Sequence, residues 1–575
     1  MNLSPEERAI GKENFNTVVE LTRREFLERS AAAAAVTGIG LGGFYFGYEK
    51  LRGDPVRVGM IGTGDEGGVL IGAHTPDYLN IVAISDIRPY NVHRAFHGDQ
   101  SSESIRAVRP GLMSKYGWTE DKAKKNIKVY ADYQDLLKDD NIEAVIIALP
   151  LFLHDKVAIE AMNNGKHVLT EKLMAHSVHQ CKDMGRVAAQ KNLLLATGHQ
   201  RHYSILYDNA VDTIKRKLIG DIHFIRAQWH RGNLPGKDSW APTLPNEKME
   251  KDLAKVLADL SALDADMSKD VETFTKLLSV TKELESAKAS RIDTLEKRRD
   301  TLQLQLLDKD VDAAKHGYEG KTLTGGEKPY VCSPLEELIR WRLWNRTGGG
   351  LMAELGSHQL DAAGIFCTAM RTDGQKALPL SVTAVGGRYI FPLDRDCDDH
   401  VYCTYEYPGP DYAKDPNKKI VVTYSSINGN GFGGYGETVM GTKGTLIVDR
   451  EQEVMLFKDA ATTTSVTVLK EKGGGVTLDT TASGGPAAAA KKSLDAGPPS
   501  RGYTEEMEHF AWCIRNHDGE HNKPKCHPKV AMADAIIALT TNIAMREGRR
   551  IEFKKEWFDI ESDETPEGIA PSVKM

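Results

Sequence analysis

Short apolar runs alternate with amphipathic stretches over the first third of the chain. Val56–Ile61 is the first run and stops at a glycine-rich turn, Gly62–Gly67. Ile81–Ser85 follows and ends on Asp86; Ala144–Leu149 stops at Pro150; Lys166–Thr170 and Leu193–Thr197 come next, with a helical stretch over Gln180–Lys191 between them. Nearly continuous apolar strands separated by helices predict a parallel sheet covered on both faces, a doubly wound α/β domain over 54–200. After residue 200 the pattern changes. Ile222–Trp229, Ser381–Tyr389, His400–Tyr407, Lys419–Ser425 and Glu437–Met440 alternate or carry β-branched and aromatic residues between Gly and Pro turns. They predict a second domain, 201–553, built on a mainly antiparallel sheet.

Two segments interrupt that second domain. Between Asn246 and His316 there is neither Gly nor Pro, and Met249, Leu253, Val256, Leu260, Leu263 and Met267 recur at alternating four- and three-residue steps. That is the seam of a coiled coil, and we read 246–316 as an inserted helical hairpin; a partner-binding or oligomerising arm is the alternative. Lys472–Arg501 is rich in Gly, Ala, Pro, Ser and Thr and predicts a flexible surface loop. Helices over Tyr503–Asn516 and Pro528–Glu547 and a tail, 554–575, complete the chain.

With 575 residues, the chain exceeds what one compact core organises. A net charge of −7 excludes general nucleic-acid binding, which depends on clustered Lys and Arg. Seven scattered cysteines form neither a disulfide framework nor a CxxC zinc pair. The N-terminal segment, 1–53, carries Thr22-Arg23-Arg24-Glu25-Phe26-Leu27, followed by an uncharged, mostly apolar run from Ala31 to Tyr48. Twin arginines before a weakly apolar stretch resemble a twin-arginine export signal. Phe44, Tyr45, Phe46 and Tyr48 occupy the place of a small-residue cleavage site, and the run is long enough to serve as a membrane anchor. The expected location is periplasmic, or on the outer face of the cytoplasmic membrane.

Gly62, Gly64 and Gly67 form GxGxxG after a strand and before a helix. The first glycine permits the tight turn, the second (beside Thr63) lets backbone approach a pyrophosphate, and the third lets helix pack on strand. Asp86, twenty-four residues after Gly62, is placed to hydrogen-bond a ribose, which predicts NAD or NADP as cofactor. Asp65 and Glu66 put negative charge in the phosphate turn, which weakens the grip unless both point to solvent. Arg88 is placed to receive a 2′-phosphate. Farther on, Leu149-Pro150, His154 and Glu171-Lys172 border the mouth of the parallel strands, where such sheets bind ligands. Read as a helix, Gly348–Asp361 puts Glu354 and His358 four apart on one face, so that the carboxylate orients the imidazole as a general base. No metal-ligand cluster accompanies them, so no metal is expected.

These motifs resemble the Gfo/Idh/MocA oxidoreductases. The similarity is carried by Gly62–Gly67, Asp86, Gly165–Lys172 in the place of AGKHVxxEKP, Gly348–Asp361 in the place of GGGxLxDxGxHxxD, and Gly441–Thr445 in a late hairpin. The resemblance implies an N-terminal Rossmann domain and a C-terminal α/β domain whose open sheet serves homo-oligomerisation. It makes Lys172 the group that polarises the reacting oxygen and His358 the proton acceptor, with Glu354 standing for the family's Asp and Leu173 for its Pro. His202, Tyr203 and Asp361 are the candidate substrate contacts, alongside Trp229-His230-Arg231. The function implied is an exported, NAD(P)-dependent oxidoreductase of a sugar or polyol hydroxyl, its dinucleotide tightly bound, with the twin-arginine export machinery as a partner. Two alternatives stay open: an NAD-dependent glycosidase with no net redox change, and a non-catalytic cofactor- or sugar-binding protein with a partner-binding arm.

Overall fold

The structure, a computed structural model, describes residues 3–18, 46–48, 50–273, 280–458, 467–470, 476–479, 501–519 and 521–575, without the side chains of 264–288, 467–470 and 476–479. The twin arginines, Arg23 and Arg24, and most of the apolar run behind them lie outside the described residues.

The first domain is a six-stranded parallel sheet of β1 (Val56–Ile61), β2 (Leu79–Ser85), β3 (Lys128–Tyr130), β4 (Ala144–Ile147), β5 (His167–Glu171) and β6 (Leu195–Gly198), in the order 3-2-1-4-5-6. Its central strands are apolar on both sides because helices cover both faces, and every residue of β4 is buried. The order reverses between β1 and β4, which opens a crevice at their C-terminal ends. The glycine turn leaves β1 at that crevice, Pro150 leaves β4 there, and Lys172 follows β5.

The second sheet has eight strands. In chain order its members are β7 (Ile222–Arg231), β10 (Ser381–Gly387), β11 (His400–Pro408), β12 (Lys419–Asn428), β13 (Tyr435–Gly441), β14 (Gly444–Asp449), β15 (Glu453–Lys458) and the short β18 (Ile551–Glu552). All its pairings are antiparallel except β7 with β12. Burial alternates along β12, with Ile420, Val422 and Tyr424 on the covered face, as expected of a sheet covered on one side. Helices Ser357–Ala369 and Pro528–Glu547 supply the cover, whereas Val385 and Tyr402 on the opposite face are exposed. Two small hairpins, β8/β9 (Lys321–Leu323, Tyr330–Cys332) and β16/β17 (Thr467–Lys470, Val476–Asp479), lie outside the sheets. The second corrects part of the loop expected over 472–501, since Val476–Asp479 pairs as a strand.

The insertion contains two helices, Glu247–Thr273 and Val280–Leu307, lying against each other. Met249 and Val256 are buried, whereas Leu257, off the seam, is exposed. The second helix also packs on Pro89–His97 of the parallel-sheet domain, so the base of the arm spans both domains. All seven cysteines are buried and unpaired.

Both chain ends are bound to the body. A helix over residues 5–18 lies on β15, with Arg8 Nη1 2.6 Å from Asp449 Oδ2 and Phe15 and Val18 buried. Tyr48 donates to Glu508 Oε2 at 2.7 Å, and Phe46 packs on Tyr203. At the other end, the tail after Phe553 crosses the helix Val178–Lys191. Lys182 Nζ donates to the carbonyls of Glu556, Ser562 and Glu564 at 2.7–2.9 Å, and Arg186 donates to those of Ile560 and Val573 at 2.8 Å. Arg186→Ala should leave the half-buried carbonyls of Ile560 and Val573 without this donor and lower the unfolding free energy by about 2 kcal/mol or more. Urea unfolding measures this; an unchanged midpoint would show that the strap contributes nothing.

Candidate active site

The glycine turn has steric reasons for two of its glycines. Gly62 has φ +87°, and a Cβ there would lie 2.3 Å from the Ala148 carbonyl oxygen; one on Gly67 would lie 2.4 Å from that of Gly62. At Gly64 the nearest atom to such a Cβ is 3.7 Å away, so its bare backbone faces open space at the start of helix Asp65–Ala73. That is the cradle a pyrophosphate needs. Asp86 is fixed at the end of β2 by N–H donors, from Thr63 to Oδ2 at 2.8 Å and from Arg88 to Oδ1 at 2.9 Å. The residues present therefore fit a dinucleotide.

Two expectations about this end change, one on the acidic pair Asp65–Glu66 and one on Arg88. Asp65 is exposed but paired: Arg94 and Arg109 donate to its Oδ1 at 2.8 and 3.1 Å. Desolvation opposes its ionisation, yet the two arginines outweigh it and bring its pKa to about 2. Glu66 turns inward instead, with Oε1 buried and lacking a hydrogen bond among the described residues. Its field reaches Arg231 and Arg342, so the acidic turn is balanced by cations from both domains. Arg88 is not available for a phosphate, because its Nε and Nη2 both donate to Asp308.

At the other end of the crevice, His154 is a positioning group rather than a cofactor contact. Its ring is buried, with Nδ1 2.8 Å from the Leu173 carbonyl and Nε2 2.8 Å from that of Leu149, which ties the exit of β4 to the chain just past Lys172. The Lys172–Leu173 peptide is cis. Pro150, partly exposed, lines the rim between them. Glu171 is buried behind Lys172, whose N–H donates to its Oε2 at 3.2 Å. Burial, reinforced by Glu66, pushes the Glu171 carboxyl up to about 8.

Lys172 Nζ crosses to the second domain and donates to the Glu354 carbonyl at 2.7 Å, while the Glu354 carboxylate lies 3.8 Å away. That carboxylate also accepts from Arg342 Nε at 2.7 Å. Here the expected Glu354–His358 pair fails. Met352–Gly356 forms a wider, π-type turn, which breaks the i, i+4 alignment, and Glu354 faces the two cations instead. The pKa of Glu354 is lowered despite burial, by Arg342 first and then Lys172. His358 therefore gains no basicity from it. Burial, then Lys172 and Arg201, drives its pKa well below the ordinary value and keeps the imidazole neutral. Its ring lies 5.4 Å from that of Trp229, which stacks on Tyr435 at 4.5 Å.

The candidate substrate contacts divide. His202 Nε2 is 2.8 Å from Asp361 Oδ1, one helical turn beyond His358. Asp361 is buried and also faces Lys376 at 3.5 Å, so it organises this wall rather than facing a ligand. His202, Asp361 and Asp534 lie close enough to share a cation, and Lys376 Nζ, 2.5 Å from Asp534 Oδ2, supplies one. Tyr203 is a correction: its ring is buried, and its hydroxyl accepts from Lys525 N–H at 2.7 Å and lies 2.8 Å from His509 Nδ1. Sequence reasoning missed Arg342 and Asp308, which belong to no motif. Arg231, by contrast, emerges at the end of β7 over the Trp229 ring, 5.4 Å from its centroid, and has no hydrogen-bond partner for its guanidinium among the described residues.

Residues 56–199 match the model of the GFO_IDH_MocA family, described as an oxidoreductase family with an NAD-binding Rossmann fold. An uncharacterized oxidoreductase of Schizosaccharomyces pombe is 34% identical over 125 residues, 21% of this chain and 34% of that protein. A glycosyl hydrolase family 109 protein of Saccharopolyspora erythraea is 30% identical over 172 residues, 26% of this chain and 33% of its own. The chain thus spans about a third of the curated relatives it matches. Among solved structures, an oxidoreductase domain protein from Kribbella flavida has TM-score 0.50 at 13% identity, over 87% of this chain and all of that one, a likeness of fold.

Glu171 gives a pH signature. Its native pKa of about 8 stands above the ~4.3 of an unfolded glutamate, so the native state binds the extra proton between them. This group's contribution is full below about 4.3 and is lost as pH rises through about 8. Glu171→Gln should therefore gain stability relative to wild type, progressively from pH 5 to 8, by on the order of a few kcal/mol. A pH-independent difference in urea midpoints would contradict a protonated Glu171.

Proposed function

We propose that this chain, whose Rossmann domain is that of the Gfo/Idh/MocA oxidoreductases, is an NAD(P)-dependent oxidoreductase acting on a hydroxyl-bearing carbon of a sugar or polyol. One observation carries the reading: Lys172, held at the mouth of the parallel sheet, meets the second domain beside a buried, neutral His358. The glycine turn and Asp86 would hold the dinucleotide, which when bound supplies a two-electron hydride acceptor. His358, unprotonated through the working pH range, accepts the hydroxyl proton. Lys172, its ammonium fixed by the Glu354 carbonyl, donates to the substrate oxygen and favours its anionic form. Glu354 and Arg342 set the position of that ammonium and exclude its drift into the crevice. Trp229, stacked on Tyr435, offers an aromatic wall to a sugar ring, and Arg231 a donor at its edge.

The relative named as a glycosyl hydrolase favours a second reading on the same residues, in which oxidation is followed by elimination, hydration and re-reduction. Accumulation of reduced dinucleotide separates the two. The oxidoreductase accumulates it with substrate; the glycosidase releases free sugar from aryl glycosides without accumulating it.

Export by the twin-arginine route is part of the proposal and rests on Arg23-Arg24 and the weakly apolar run behind them. That route carries folded proteins, which suits a dinucleotide loaded before export and retained. The exposed face of the second sheet, with Val385 and Tyr402, is the surface for self-association.

Lys172→Met and His358→Ala should each lower turnover by about 10²–10⁴-fold while dinucleotide affinity stays within about threefold. Full activity in both variants would overturn the assigned roles. Replacing both Arg23 and Arg24 by Lys should leave the protein in the cytoplasm of an export-competent bacterium, as cell fractionation reads out. Unchanged distribution would remove the export assignment.

A further inference from the structure

The base of the insertion closes on the parallel sheet where β2 ends. Arg88 Nε and Nη2 donate to the same oxygen, Asp308 Oδ2, at 3.0 and 2.7 Å. Asp308 is 1% exposed, and it sits directly after the insertion's second helix. Around this pair, Ile87 packs with Val311 and Tyr318, and Tyr318 meets the Phe152 ring edge-on at 5.3 Å. A segment from the second domain therefore walls the place where this fold sets the adenosine ribose, beside the carboxylate that ends β2. Asp86 stands there, its orientation fixed by the N–H groups of Thr63 and Arg88.

We propose that the insertion makes the dinucleotide site selective for NAD over NADP, Asp308 being the residue that decides it. A 2′-phosphate would bring up to two negative charges beside Asp86 and Asp308. Arg88, two residues past Asp86 and the natural donor to that phosphate, is already bound to a buried carboxylate, and releasing it would leave that carboxylate buried and unpaired. The ribose of NAD needs only the Asp86 carboxylate. The 246–316 insertion thus has a role at the cofactor, distinct from partner binding. The proposal rests on the dinucleotide site of the reading above, not on the reaction.

Equilibrium titration of the full-length protein, stripped of dinucleotide, with NAD⁺ and with NADP⁺ tests it by calorimetry. Wild type should bind NAD⁺ at least about 30-fold more tightly. Asp308→Ala should free Arg88 and strengthen NADP⁺ binding by about tenfold or more, with NAD⁺ changed less than about threefold; adding Arg88→Ala should abolish that gain. Wild type that binds NADP⁺ as well as NAD⁺ would overturn the proposal, and this holds even if Asp308→Ala fails to fold. An unchanged preference in a folded Asp308→Ala would overturn the role of Asp308. Wild type that binds neither nucleotide would instead remove the dinucleotide site itself.

Discussion

Between the two sheets stands a single carboxylate shared by cations of both. Glu354 accepts from Arg342 within its own domain and pairs with Lys172 from the other, while its carbonyl takes the Lys172 ammonium. All three side chains are largely covered, so their charges are weakly screened, and removing the Glu354 carboxylate would leave two cations uncompensated. The end of the crevice at Lys172 depends on this arrangement. It places an ammonium at the mouth of the parallel strands, keeps Glu354 ionised, and turns the Glu354 carboxylate to the two cations rather than to His358.

Other elements hold the domains around that contact. The tail straps the helix Val178–Lys191 through two cations that reach main-chain carbonyls, and the N-terminal helix lies on the edge of the second sheet. The insertion leaves the second domain and returns across the end of β2. Each adds a wall or a clamp to the body.

Much of this was legible in the residues. Runs apolar on both sides announced the parallel sheet, and alternation with turn residues announced the half-covered one, because burial geometry imposes those periods. The glycine turn was legible because steric contact at Gly62 and Gly67 leaves no room for a side chain. What escaped were relations that depend on three-dimensional meeting. Helical spacing assigned Glu354 to His358, but a π-type turn breaks that spacing. Arg88 looked available until Asp308, some 220 positions later, was seen to hold it. Tyr203 belonged to a polar cluster in sequence but is turned into the body by His509 and Lys525. Asp65 looked unfavourable for phosphate until Arg94 and Arg109 were placed beside it.

Glu354 acts on Lys172 and Arg342, while burial, together with the nearby Lys172 and Arg201, keeps His358 neutral. Carbon-13 NMR of histidine-labelled protein, with the His358 resonance assigned by substitution and followed from pH 5 to 8 in wild type and Glu354→Gln, tests it most directly. The imidazole should stay neutral across that range in both proteins. A His358 that titrates near pH 7 in wild type, and whose pKa falls when Glu354 is replaced, would contradict it.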